Sequence, residues 1–152
     1  IAFVIATGFD YRWFKTLSWP AYALQIGLLV LTLAIGDGVG NSARWITFGP
    51  LTFQFSELAK ILMIIVLANF LAGRSDRLDS LATILGAGVL VIPPLALVML
   101  QPDLGTSLVF AAILVGMLLM SGASMKWLAA MAAVVIAMIP VAWTYILRDY
   151  QK

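Results

Sequence analysis

Two short polar strings hold the residues best suited to chemistry. In Gln54-Phe55-Ser56-Glu57-Leu58-Ala59-Lys60, a carboxylate and an ammonium lie three residues apart; in Gln101-Pro102-Asp103-Leu104-Gly105-Thr106, a second carboxylate follows a proline. A carboxylate can serve as a general base or hold a cation, and an ammonium can meet negative charge on a substrate or leaving group. Each string opens a long apolar run, where charge is costly, about 2.5–3.5 kcal/mol per group at a helix centre by insertion scales. Three-residue spacing puts Glu57 and Lys60 on one helix face. They either neutralise each other as an ion pair or line a polar cavity, and a pair can do both. Asp103 is placed to cap a helix starting at Leu104 and to complement its dipole. Arg44 is a further cation candidate, and Trp45 beside it suits an interface anchor.

The elements that carry these residues are set by composition. The chain has 152 residues, 63% hydrophobic and 11% charged, with a mean hydropathy of +1.07. Soluble domains are about 45–50% apolar and about 25% charged. The excess marks an integral membrane protein. Net charge is +2 without a basic run, so nucleic acid is not an expected partner. Without cysteine or histidine, disulfide, thiolate and imidazole chemistry are excluded, along with the commonest metal ligand. Acid–base chemistry must rest on Asp, Glu, Lys, Arg or Tyr.

Five complete apolar spans are expected, at 20–36, 57–72, 81–100, 104–120 and 127–147, after a partial span at 1–9. The chain reads as an internal piece of a longer polytopic protein, a single partial transmembrane domain over 1–152. Pro20 suits a first helical turn, after a polar linker at 10–19. Ser56 is the expected N-cap of the 57–72 helix. Pro93-Pro94 should kink or break the third span, because proline removes an N–H and clashes with the preceding turn. Residues 43–55 are too short to span and are interrupted by Gly49-Pro50; an interfacial or re-entrant segment fits. Gln25, Thr32 and Asn69 are expected to hydrogen-bond between helices, and Gly86 and Gly88 to allow close packing. Arg12, Lys15, Arg74, Arg77 and Lys126 fall on one side and Arg44, Lys60, Arg148 and Lys152 on the other; with Lys60 set aside as helical and the last two as tail residues, the positive-inside rule makes the first side cytoplasmic. Both polar strings then lie on the external side. The fold class is an all-α polytopic transmembrane bundle with an external interfacial segment.

Four strings, in order, carry a resemblance. Asn41-Ser42-Ala43-Arg44-Trp45-Ile46, Phe53-Gln54-Phe55-Ser56-Glu57-Leu58-Ala59-Lys60, Leu100-Gln101-Pro102-Asp103-Leu104-Gly105-Thr106 and Asp149-Tyr150-Gln151-Lys152 resemble the SEDS family of RodA, FtsW and SpoVE. The last two look more like RodA. The resemblance implies a bundle of about ten helices, of which this chain runs from the end of the second through the seventh. It implies a bacterial cytoplasmic-membrane enzyme that polymerises lipid II into glycan strands with a class B penicillin-binding protein. Trp45, Glu57, Lys60 and Asp103 match motif positions around the family's central cavity. The family's proposed catalytic Asp lies in an external loop that would begin about where Lys152 stands, so no residue here takes that role. Phe55 stands where the family usually has Pro, which leaves the start of the following helix and the orientation of Glu57 open.

On that reading, a sugar hydroxyl attacks an anomeric carbon and a lipid-linked diphosphate leaves. Lys60, with Arg44 second, would meet the diphosphate; Glu57 would hold Lys60. Asp103 would shape the cavity or help hold a divalent cation, and Trp45 would pack at the entrance. No other cofactor is expected. Two rivals fit the same residues: a transporter or flippase for a lipid-linked substrate, built on proline-interrupted helices, and a non-catalytic membrane scaffold.

Overall fold

The computed structural model describes residues 12–35, 46–48 and 51–141. The order is helix α1 (Arg12–Ile35), a hairpin of β1 (Ile46–Phe48) and β2 (Leu51–Phe53), then α2 (Phe55–Ala72), α3 (Leu81–Leu100), α4 (Leu104–Met120) and α5 (Met125–Val141), with a 3₁₀ turn at Ser75–Arg77 between α2 and α3. This is a helical membrane bundle carrying one small hairpin among the described residues. Thr16–Ile35, Phe55–Ala72 and Leu81–Leu100 are each long and apolar enough to cross a membrane, and Leu104–Met120 is a shorter apolar helix. The partial span at 1–9 and the end of the fifth lie outside the described residues.

Helix α1 packs most extensively against α2, and α3 and α4 pack on the same core. Leu29, Met63, Leu67, Phe110 and Leu118 are fully buried there. Outward faces stay apolar: Leu85, Val89 and Ile92 of α3 are all more than half exposed. In water such a surface would be a liability; against lipid it is neutral.

Several expectations need correction. Helix α1 begins at Arg12, so Pro20 lies inside it rather than in its first turn. The stretch before Pro20 contains no glycine to interrupt the helix. The expected linker at 10–19 is therefore mostly helix. Within the 43–55 segment, expected to be interfacial or re-entrant, β1 and β2 pair antiparallel, with Ile46 opposite Phe53, Thr47 opposite Thr52 and Phe48 opposite Leu51, a local structure that leaves that expectation standing. Alternating β-branched and aromatic residues favour that pairing. Ser56 is not the N-cap of α2. Gln54 holds that place in extended conformation, and Ser56 is buried within the first turn. The proline pair does not break α3, which runs unbroken from Leu81 to Leu100. Pro94 cannot donate to the carbonyl of Leu90, four residues back. The Tyr22 hydroxyl on α1 donates to that carbonyl at 3.0 Å instead.

The other turns follow local rules. Asp103 caps α4: its side chain accepts from the Thr106 N–H. Helix α4 ends in a Schellman arrangement, in which the Gly122 N–H bonds Leu119 O and the Ala123 N–H bonds Leu118 O. Gly122 sits at φ +81°, where a side chain would be strained.

Candidate functional site

The two polar strings meet. The side-chain amide of Gln54, at the entry to α2, donates to Oδ2 of Asp103 at 3.3 Å, at the entry to α4. The contact fixes the topology: α2 and α4 both start at one end of the bundle, and α3 returns the chain between them. Two helix N-termini, each of positive dipole character, therefore share one mouth.

Asp103 is the fixed part of this mouth. It is only 8% exposed. Its Oδ1 accepts from the Thr106 N–H at 3.1 Å, and its Oδ2 accepts from the Thr106 hydroxyl at 2.8 Å as well as from Gln54. Its own carbonyl accepts from the Ser107 hydroxyl at 2.8 Å. A buried carboxylate is tolerated only when its lone pairs are met this way. Next to it, the fully buried Gln101 side chain donates across to the Leu29 carbonyl of α1 at 3.0 Å.

Glu57 and Lys60 form the adjustable part. Lys60 Nζ lies 2.8 Å from both Oε1 and Oε2 of Glu57. The Lys60 side chain is 20% exposed and that of Glu57 60%. The three-residue spacing did put them on one face, and they do pair. Helix α2 starts at Phe55, which places Glu57 in its first turn, where a carboxylate complements the dipole. Arg44 and Trp45 lie outside the described residues.

Whether Asp103 meets a cation turns on the donors around it. Among the described residues, no group of three or more Asp, Glu, His or Cys side chains comes together. The Asp103 oxygens already accept from neutral donors.

The sequence reading missed Gln54, Thr106 and Ser107 as supports of Asp103. A Thr three residues after an N-cap Asp was a usable sign for Thr106. The reach of Gln54 across 49 positions had none. Of the expected interhelical hydrogen bonds, Asn69 donates to Ser18 at 2.8 Å and Gln25 reaches the Met63 sulfur at 3.5 Å. Thr32 instead bonds Leu28 O within its own helix. Gly86 lies under the Phe70 ring, as a packing residue would, whereas Gly88 faces open space.

Fold and site together define a polytopic helical membrane protein with ionisable side chains gathered where two helices begin. The FtsW/RodA/SpoVE family of cell cycle proteins matches residues 1–152, and the chain belongs to that family. It is 37% identical over 131 residues to the peptidoglycan glycosyltransferase MrdB of Escherichia coli strain K12, covering 86% of this chain and 35% of that protein. It is 43% identical over 103 residues to the probable peptidoglycan glycosyltransferase FtsW of Nitrosococcus halophilus, covering 66% of this chain and 26% of that one. The chain thus spans about a third or less of the length of these curated relatives. Among solved structures, it superposes on a chain of a peptidoglycan synthase complex that coordinates polymerization and crosslinking, with TM-score 0.77 and 28% identity over 97% of this chain and 44% of that one. It superposes on Thermus thermophilus RodA, the rod shape determining protein, with TM-score 0.72 and 28% identity over 90% and 45%.

Proposed function

We propose that this chain forms part of a peptidoglycan glycosyltransferase that polymerises lipid II in the bacterial cytoplasmic membrane, working beside a class B penicillin-binding protein. The observation that carries the proposal is the Gln54–Asp103 hydrogen bond, which gathers the two polar strings at one mouth. The kinship with MrdB and FtsW supports the reaction class. The likeness to a peptidoglycan synthase complex supports the partner.

The reaction joins a sugar hydroxyl to an anomeric carbon as a lipid-linked diphosphate leaves. Negative charge grows on the departing diphosphate, and a preorganised cation there lowers the barrier. Lys60 takes that role, with Arg44 as a second cation. Glu57 holds the ammonium until the diphosphate competes for it. Because that pair is partly solvated, the exchange costs little. Asp103 acts as scaffold: it ties the start of α2 to the start of α4, so the mouth keeps its shape through turnover. Trp45 packs against lipid or sugar at the entrance. The general base comes from elsewhere in the longer protein. The mouth faces the external side, as the distribution of basic residues supports.

Purified full-length protein with its partner, given lipid II in detergent, should lengthen glycan, a setting in which transport has no meaning. Lys60→Ala should abolish most of that synthesis, and Lys60→Arg should restore part, since charge is kept while donor geometry changes. Full synthesis by Lys60→Ala would remove Lys60 from the mechanism. Absence of synthesis by the unmodified protein would favour a flippase or a scaffold.

A further inference from the structure

At the opposite end of the bundle from the polar mouth, two cavities share one arginine. The first, of about 320 Å³, is lined on its apolar side by Trp19, Phe70 and Leu90 and on its polar side by Ser18, Asn69 and Arg74. The second, of about 470 Å³, is lined by Arg74, Asp76, Arg77, Ser80 and Thr83. Gly73 and Arg74 line both. Each volume is in the range of small-molecule sites.

Arg74 is held in place by neutral partners. Its guanidinium carbon sits 3.8 Å from the centre of the Phe70 ring, and its Nη1 donates to the Phe70 carbonyl at 3.3 Å. Phe70 is itself wedged: its Cζ would lie 2.7 Å from a Cβ added at Gly86. A platform of this kind orients the guanidinium without neutralising it. Asp76 is two residues away and lines the same cavity, yet among the described residues the Glu57–Lys60 pair is the one ion pair. Arg74, Arg77 and Asp76 thus present both signs of charge to one space without bonding each other. Ser80 and Thr83 are occupied with the α3 cap, the Ser80 side chain accepting from the Thr83 N–H and the Thr83 hydroxyl donating to Arg77 O. Asp76 accepts only a long 3.5 Å contact from the Ser75 hydroxyl, and Arg74, Asp76 and Arg77 are all exposed where they line the cavity.

We propose that this pair of cavities binds an aminophospholipid. The lipid phosphate sits against Arg74 and Arg77, its ammonium against Asp76, and the start of its tail against Trp19, Phe70 and Leu90. Three features select that occupant. The larger cavity lies at the turn between two apolar spans, and the smaller one runs from that turn inward along them to Leu90 and Val66. Beside two guanidiniums that suit a phosphate, Asp76 adds an acceptor for an ammonium, which a headgroup carrying phosphate alone would leave unused. The apolar chamber next to Arg74 gives a place for hydrocarbon that a free phosphate would leave unfilled. Basic pockets between membrane helices are general sites for lipid headgroups; the carboxylate narrows the choice here.

The test uses full-length protein reconstituted in vesicles of equal phosphatidylethanolamine and phosphatidylglycerol, extracted in detergent, with retained lipid counted by native mass spectrometry. The unmodified protein should retain phosphatidylethanolamine above its bulk share. Arg74→Ala should lower retained lipid about fivefold, with Arg74→Lys recovering part of it. Asp76→Asn should turn the preference towards phosphatidylglycerol without lowering the total. Asp76 is exposed in the loop, so this variant carries the test if Arg74→Ala fails to fold. Glycerophosphoethanolamine and inorganic phosphate, added as competitors, should displace the lipid poorly. Efficient displacement by inorganic phosphate would assign the cavity to a free anion and overturn the proposal. Bulk lipid composition on the unmodified protein, or no change of preference in Asp76→Asn, would overturn it too.

Discussion

Asp103 and Glu57 are both carboxylates at the start of a helix, at the same mouth, and they are handled in opposite ways. Asp103 is 8% exposed and surrounded by neutral donors from Thr106 and Gln54. The Glu57 side chain is 60% exposed and pairs with Lys60, one turn along its own helix. Burial with complete hydrogen bonding makes a rigid joint, because moving Asp103 would strand several polar groups at once. Exposure with one flexible partner makes a contact that solvent or substrate can replace at small cost. Chemical type alone therefore does not set a residue's part. The number and origin of its partners do.

The contrast can be broken or sharpened by substitution. The largest effect is expected at the adjustable pair: Lys60→Ala should lower glycan synthesis by the full-length protein by about 10²–10³-fold, as removal of a charge-stabilising donor does, while its unfolding temperature stays near that of the unmodified protein. The rigid joint should show the reverse weighting. Asp103→Ala removes the α4 cap and leaves the Gln54 amide and Thr106 hydroxyl without an acceptor, for a loss of about 2 kcal/mol. Asp103→Asn, which keeps an acceptor oxygen, should lose less. Thermal unfolding in detergent measures both, and an unchanged Asp103→Ala would end the description of that residue as scaffold.

Tyr22→Phe offers a reference far from the mouth. It leaves the Leu90 carbonyl without its donor beside Pro94 and should cost about 1 kcal/mol, read as faster hydrogen exchange around the prolines of α3. Smallest of all, Glu57→Gln should change stability by no more than about 0.5 kcal/mol. It should slow glycan synthesis less than Lys60→Ala does. If Glu57→Gln destabilised as much as Asp103→Ala, the two carboxylates would not differ as described.

Much of this was legible in the residues. The apolar runs located the helices, since a bilayer leaves a backbone few other ways to satisfy its polar groups. Glu57 and Lys60 were readable as a pair because helical geometry converts spacing into contact, and Asp103 was readable as a cap for the same local reason. Ser56 misled, because Ser before an apolar run is a common cap; here the chain turns helical one residue earlier and Ser56 is buried on α2. The pairing of 46–48 with 51–53 was hidden because periodicity alone does not separate strand from helix in short apolar runs. The unbroken course of α3 was hidden too. The donor that meets the Leu90 carbonyl comes from Tyr22, 68 residues away.

The sequence by itself determined the membrane class, the family, the helix runs and the two polar strings, because each of these rests on composition or on contacts within a few residues. Only the tertiary structure decided that the strings share a mouth, which of its two carboxylates is fixed, and that Arg74 stands on an aromatic platform between two cavities. Those facts depend on groups far apart along the chain, and their distances are set by how α1 to α4 pack, which no local pattern encodes.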